Sequence, residues 1–251
     1  MVSDLRVPLE RAALFLDLDG TLAEIAPRPD DVQPEPRRTA LLTAARDALK
    51  GRLAVVSGRA VADLERLVPV AGLCLAGSHG LERRDGEGRT TSADPHPALP
   101  SALVAFAALA EREPALVLED KPLSVALHYR TAPHAEAEVL ALAERLSAET
   151  GLFLQRGRMV AELKTPGRDK GDAIAAFMAE APFAGATPLF AGDDLTDEPG
   201  FIVARGLGGA GVLVGERRPT AALGRLAGVR ETLDWIEASL EAGAFRVEGL
   251  S

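Results

Sequence analysis

Residues 14–22, LFLDLDGTL, run from apolar side chains straight into two carboxylates, a glycine and a threonine. With Ala12 and Ala13 ahead of it, this run has the composition of a strand buried on both faces of a parallel sheet. Asp17 and Asp19 fall where that strand would end, and Gly20 lets the backbone turn close to whatever binds there. The carboxyl end of a central strand is where open α/β sheets bind ligands. Two ionised acids this close are costly unless a cation lies between them or one of them holds a proton. A divalent metal together with a phosphate ester meets both conditions. The plain structural alternative is an Asp-rich turn that caps a helix.

The 251 residues suffice for one large domain, or for a core with a smaller insert. A net charge of −9 with no basic stripe argues against a nucleic-acid partner. It still allows a phosphorylated small substrate, because a metal and a few local cations can serve one phosphate. Cys74 is the only cysteine, so no internal disulfide is possible; its apolar setting, Gly72-Leu73-Cys74-Leu75, points to a buried inert thiol. No apolar stretch approaches the ~20 residues of a spanning helix, and no secretory signal is visible. No membrane partner is therefore expected, and the cytoplasm is the default location. Oligomeric state stays open, with a monomer compatible.

Short apolar runs alternate with Ala/Leu-rich amphipathic stretches, which is the α/β pattern. Strands of one parallel sheet are expected at 12–17, 53–56, 73–76, 188–191 and 211–214. Crossover helices are expected at 36–49, 60–67, 170–180 and 195–204, with another pair at 220–226 and 231–241. Pro36 and Pro219 suit first-turn positions. The middle of the chain differs. A hairpin at 81–91 turns at Asp85-Gly86, followed by a helix at 100–112 and strands at 116–119 and 124–130. A helix at 134–149 and strands at 152–155 and 158–164 complete an α+β insert of roughly 80 residues. The expected division is a discontinuous core, 1–80 and 165–251, and an insert over 81–164.

Four segments carry chemistry. Asp17-Leu18-Asp19-Gly20-Thr21 is the first. Ser57-Gly58-Arg59 follows the strand at 53–56, where a hydroxyl and a small residue can meet a phosphate oxygen. Asp169-Lys170-Gly171 opens a helix, so a lysine and oriented N–H donors can share one anion. Gly192-Asp193-Asp194-Leu195-Thr196-Asp197-Glu198 sets four acids directly after an apolar strand. Helix starts favour acids in any case, but a tight acidic cluster there is better explained by a divalent cation, and magnesium takes one or two carboxylates plus water and phosphate oxygens.

Together, and in this order, these segments resemble the motifs of the haloacid dehalogenase superfamily of phosphohydrolases. That resemblance implies a Rossmann-like α/β parallel-sheet core with an inserted α+β cap. A finer resemblance covers nearly the whole chain and is to trehalose-6-phosphate phosphatases. It is carried by LDLDGTLAEIAPRPD (16–30), VSGR (56–59), GSHGLE (77–82), EDKPLSVALHYR (119–130), GRMVAELK (157–164), RDKGDA (168–173) and GDDLTDE (192–198). Pro122, Lys164 and the Pro199-Gly200 that follows GDDLTDE depart from the family's usual residues.

The resemblance implies a role for each matched residue. Asp17 attacks phosphorus, and Asp19 first gives a proton to the departing sugar oxygen and then takes one from water. Magnesium is held by Asp17, the main chain at Asp19, and Asp193, with Asp194 or Asp197 acting through the waters around it. Ser57 and Lys170 bind phosphate oxygens, and Gly20, Thr21, Gly58 and Arg59 belong with the substrate-binding residues. Glu119, Lys121, His128, Arg130, Glu162 and Lys164 fall in segments that would read the sugar, with a simple ion pair between Glu119 and Lys121 as the structural alternative. Gly77–Gly80 reads as pocket floor or hinge. The cap is expected to close over its substrate. The same core would serve another sugar phosphate, such as sucrose 6-phosphate or a glycosyl-phosphoglycerate. A non-catalytic phosphosugar sensor is the alternative from outside enzymology.

Overall fold

The apolar run ahead of Asp17 is a strand, and all five of its residues are buried. A computed structural model of the chain describes residues 4–249, which fall into two compact units. One holds the residues up to Ile25, Val32–Thr91 and those from Arg168 onward; the other holds Ala26–Asp31 and Ser92–Gly167.

In chain order the elements are β1 (Leu5–Pro8), β2 (Ala12–Leu16), α1 (Pro36–Ala48), β3 (Leu53–Val56), α2 (Val61–Leu67), β4 (Cys74–Gly77), β5 (Glu82–Arg84) and β6 (Thr90–Ser92). Then come α3 (Leu99–Arg112), β7 (Val117–Lys121), β8 (Ser124–His128), α4 (Glu136–Thr150), β9 (Phe153–Gly157) and β10 (Val160–Lys164). The rest are α5 (Lys170–Met178), β11 (Thr187–Gly192), α6 (Glu198–Gly206), β12 (Ala210–Val214), β13 (Gly224–Leu226), α7 (Val229–Ala242) and β14 (Ala244–Val247).

The first unit is built on an eight-stranded sheet of order β13-β12-β11-β2-β3-β4-β5-β6. Its strands are parallel from β13 through β4, and β5 turns antiparallel to β4. The strand order reverses at β2, so Asp17 lies at a topological switch point, where crevices open in such sheets. The Asp17 N–H donates to the Ala191 carbonyl at 2.9 Å, carrying the β2–β11 register one residue past the strand. Phe15, Phe177, Phe183, Phe190 and Phe201 fill the core on one side of the sheet, with the Phe15 and Phe183 rings stacked at 5.3 Å. Burying each such side chain stabilises the fold by about 1.5–3 kcal/mol. None of the described helices is long and apolar enough to cross a membrane.

In four places the structure departs from expectation. Residues 220–226 are not a helix: Gly224–Leu226 pair with Val212–Val214 as the edge strand β13. Ladder bonds override the helix propensity of Thr-Ala-Ala-Leu there, and Arg225 Nε adds a bond of 2.5 Å to the Gly215 carbonyl. Pro219 accordingly opens no helix. The hairpin at 81–91 extends the eight-stranded sheet and lies in the first unit, so that unit runs to Thr91. Residues 165–167 and 26–31 lie in the second unit. The pairing of β1 with β14 in a small sheet of their own was not expected at all.

In the second unit, β7-β8-β10-β9 form an antiparallel sheet. Alternate residues of a strand face opposite ways, and here the alternation separates apolar from polar. Val125, Leu127, Ala161 and Leu163 pack with Phe106 and Leu109 of α3 and Val139, Ala143 and Leu146 of α4. Glu119, Lys121, Ser124, His128, Glu162 and Lys164 alternate with that set and so share the other face.

Candidate active site

Parallel strands bring their carboxyl ends to one edge of the sheet, which is how residues 40 to 180 positions apart meet. Asp17 follows β2, Ser57 follows β3, and Asp193 follows β11. Lys170 is the first residue of α5, behind a reciprocal cap in which Asp169 and Asp172 each accept the other's backbone N–H at 3.0 Å. Its Nζ donates to Asp17 Oδ1 at 2.9 Å and to Asp197 Oδ1 at 2.7 Å, and all three side chains are buried. Asp197 Oδ2 accepts the Asp194 N–H at 2.9 Å. A side chain at Gly192 would collide with the Asp197 carboxyl group, so only glycine lets the acid pack there.

One oxygen from each of Asp17, Asp193 and Asp197 lies within 4.8 Å of the others. Burial raises Asp17 well above the usual carboxylate range, Lys170 opposes that rise, and Asp197, Asp193 and Asp19 add to it. Burial, then Asp197, pushes Asp193 up to about 7. Burial also disfavours the Lys170 ammonium, but Asp17 and Asp197 together outweigh it and its pKa is raised. A crowded, oxygen-only donor set of this kind fits a hard divalent cation such as magnesium. Because both Asp197 oxygens are engaged, Asp17 and Asp193 are the acids left to face one. Gly20, at φ +82°, completes the cradle, since a Cβ there would collide with the Asp193 carboxylate.

Asp19 stands apart from that trio. Arg59 grips it as a fork, Nε to Oδ2 at 2.7 Å and Nη2 to Oδ1 at 2.8 Å. Arg59, expected on the substrate, is thus held on Asp19, and the Asp19 carboxylate is not one of the three that converge at Asp17. Thr21 is fully buried, and its Oγ1 has no hydrogen-bond partner among the described residues. Ser57 is buried; its Oγ accepts the Arg59 N–H at 3.2 Å. Gly58 faces His79, whose ring would stand 2.7 Å from any Cβ placed there. Asp194 caps the turn that follows β11, and its carboxylate accepts the Leu195 N–H.

Sequence reasoning missed Arg38. It is buried and donates to the carbonyls of Leu22 at 3.4 Å, Gln33 at 2.8 Å and Leu67 at 3.0 Å, pinning the loop that leaves the Asp17–Thr21 segment. An arginine in the first turn of α1 reads as a surface charge, so no local signal marks it.

On the polar face of the second sheet, Lys121 Nζ donates to Glu162 Oε1 at 2.9 Å and lies 3.5 Å from Glu119. Ser124 Oγ donates to the same Glu162 oxygen at 2.5 Å, and His128 Nε2 meets Glu119 Oε2 at 2.9 Å. The Glu119–Lys121 ion pair is therefore present as one contact of a larger network. Burial would raise Glu119, but His128 and Lys121 outweigh it and hold the carboxyl below its usual value. Burial would weaken the Lys121 ammonium, but Glu162 and Glu119 prevail and raise it. Lys164 lies on this face with its Nζ 5.3 Å from the centre of the Phe153 ring. Arg130, past the end of β8, donates to the carbonyls of Ala26 and Arg158.

A buried acid at a strand end, a second acid two residues on, a buried lysine and an acidic loop after β11 meet at one edge of the sheet, an arrangement that can hold a divalent cation and a phosphate ester together. A family model described as trehalose-phosphatase matches residues 15–223, and the chain belongs to that family. It is 44% identical over 231 residues to the trehalose-6-phosphate phosphatase of Escherichia coli strain K12, covering 90% of this chain and 85% of the relative. It is 37% identical over 228 residues to a probable trehalose-phosphate phosphatase of Sinorhizobium fredii, with 90% and 86% covered. Among solved structures, the C-terminal domain of the Candida albicans trehalose-6-phosphate phosphatase superposes with a TM-score of 0.82. That match covers 92% of each chain at 20% identity, and it speaks to the fold alone.

Proposed function

We propose that this chain is a magnesium-dependent phosphatase that hydrolyses trehalose 6-phosphate to trehalose and inorganic phosphate. The observation that carries the proposal is the buried Lys170 between Asp17 and Asp197, with Asp193 closing the acidic trio. Asp17, the main chain at Asp19, and Asp193 would hold the metal. The cation's contribution is to polarise the phosphoryl group and neutralise charge that would otherwise keep it from Asp17.

The chain's own groups then divide the work. An Asp17 oxygen attacks phosphorus as the bond to the sugar oxygen breaks, and Asp19 gives that oxygen its proton. Water next attacks the phosphorus of the aspartyl phosphate, Asp19 takes the water's proton, and phosphate leaves with Asp17 restored. Lys170 offsets charge at the nucleophile, and Ser57 and Thr21 offer hydroxyls to the phosphate. Phosphate monoesters react so slowly unaided that accelerations reach ~10²¹, so fixed charge and position do most of the work. For the sugar, the polar face of the second sheet supplies carboxylates and cations, a donor and acceptor set suited to the many hydroxyls of a disaccharide.

The test is inorganic phosphate release from trehalose 6-phosphate, glucose 6-phosphate, sucrose 6-phosphate and a glycosyl-phosphoglycerate, with magnesium and with chelator. The expected result is a strong preference for trehalose 6-phosphate, abolished by chelation. Equal turnover of glucose 6-phosphate would replace this with a broad sugar phosphatase, and binding without turnover would make the chain a sensor.

A further inference from the structure

Three consecutive residues after β4, Ser78, His79 and Gly80, have φ of +48°, +56° and +94°. Two of them are not glycine, so the turn is strained, and such strain persists only where the surroundings over-determine it. Here the surroundings are the candidate active site. The Ser78 N–H donates to the Arg59 carbonyl at 2.8 Å, and the His79 N–H donates to the Ser57 carbonyl at 3.0 Å. The His79 ring packs against Gly58, and Gly80 against the main chain of Asp169, the residue ahead of Lys170. Glu82 closes the turn, accepting from Ser78 Oγ at 3.1 Å and from the Val61 N–H at 3.0 Å. The Ser57-Gly58-Arg59 loop is thus gripped along its backbone. What it presents is the Arg59 side chain, 10% exposed, forked onto Asp19.

We infer that Arg59, braced by the Ser78–Gly80 turn, is a positioning residue that aims the Asp19 carboxylate for proton transfer to the leaving oxygen. The planar fork sets the plane of the carboxylate and occupies about two of its four lone-pair sites, leaving the others to carry the proton. The inference rests on Asp19 acting as the proton donor. In that step the P–O bond breaks, its electron pair goes to the leaving oxygen, and the Asp19 proton follows. A misaimed Asp19 therefore penalises an alkoxide, which needs the proton, and spares a nitrophenolate, which does not.

The experiment compares kcat/KM on trehalose 6-phosphate and on p-nitrophenyl phosphate for wild type, Asp19→Asn, Arg59→Ala and Arg59→Lys. This parameter reports transfer to Asp17 and leaves out the water step that both substrates share. Asp19→Asn is expected to lose about 10²-fold or more on the sugar phosphate and far less on the aryl phosphate. Both Arg59 variants are expected to show the same split, the lysine included, because it keeps the charge without the fork. Equal losses on both substrates in the Arg59 variants, beside a split in Asp19→Asn, would overturn the inference. No split in Asp19→Asn would overturn the donor role itself. If a melt shows Arg59→Ala unfolded, Arg59→Lys decides.

Discussion

Lys170 and Asp197 share a hydrogen bond of 2.7 Å with the lysine 3% exposed and the acid not exposed at all. The pair belongs to the buried framework under Asp17. Asp197→Ala removes one partner of a buried pair and strips the Asp194 N–H of its acceptor. Such losses destabilise by about 3–5 kcal/mol, and a denaturant titration reads the change directly. Asp197→Asn can keep a bond to the Asp194 N–H and should fold better while still losing turnover.

Asp17→Asn should abolish phosphate release and leave the fold intact. The amide removes a buried charge that burial and three neighbouring acids oppose, so its melting temperature should equal or exceed that of wild type. Wild-type-like hydrolysis by this variant would end the nucleophile assignment.

Asp193 ties stability to pH. Its pKa rises from 3.8 to about 7 on folding, so the folded chain holds a proton that the unfolded chain releases across that window. Metal-free stability from this group is therefore complete at low pH and declines as pH climbs from about 4 to about 7. Magnesium takes the proton's place, so its gain in melting temperature should be larger at pH 8 than at pH 5.5. An equal gain at both would count against Asp193 as a ligand.

Glu162→Gln keeps the shape of the side chain but weakens its hold on Lys121 and Ser124. If this face reads the sugar, KM for trehalose 6-phosphate should rise about tenfold, the worth of one charged hydrogen bond. Turnover of p-nitrophenyl phosphate should be unchanged. Equal losses on both substrates would return Glu162 to a structural role.

Local pattern was enough for several elements and failed for others for an identifiable reason. β2 and β11 are continuous apolar runs, and α1 opens at Pro36, so each declares itself within a few residues. β8 and β10 were legible as strands, but that Glu162 and Lys164 share a face with Ser124 and His128 follows from their antiparallel register. The segment Thr220–Leu226 carries a helical composition, yet its fate depended on the open edge of β12. The 81–91 hairpin was legible as a hairpin; the sheet it joins was not.

Sequence alone settles which chemistry is available here: acids at a strand end, a hydroxyl at the next, a lysine at a helix start, acids again at a third. Tertiary structure alone decides which of these groups touch. Lys170 and Asp17 are 153 positions apart, and Arg59 and Asp19 are 40 apart. Chain periodicity reports burial and face, which are local properties. The partner of a charge depends on how the crossovers stack whole strands, and on glycines such as Gly20 and Gly192 that leave room for the Asp193 and Asp197 carboxylates. Asp17 and Asp19 look like twins in LFLDLDGTL, but the fold buries one on a lysine and hands the other to an arginine.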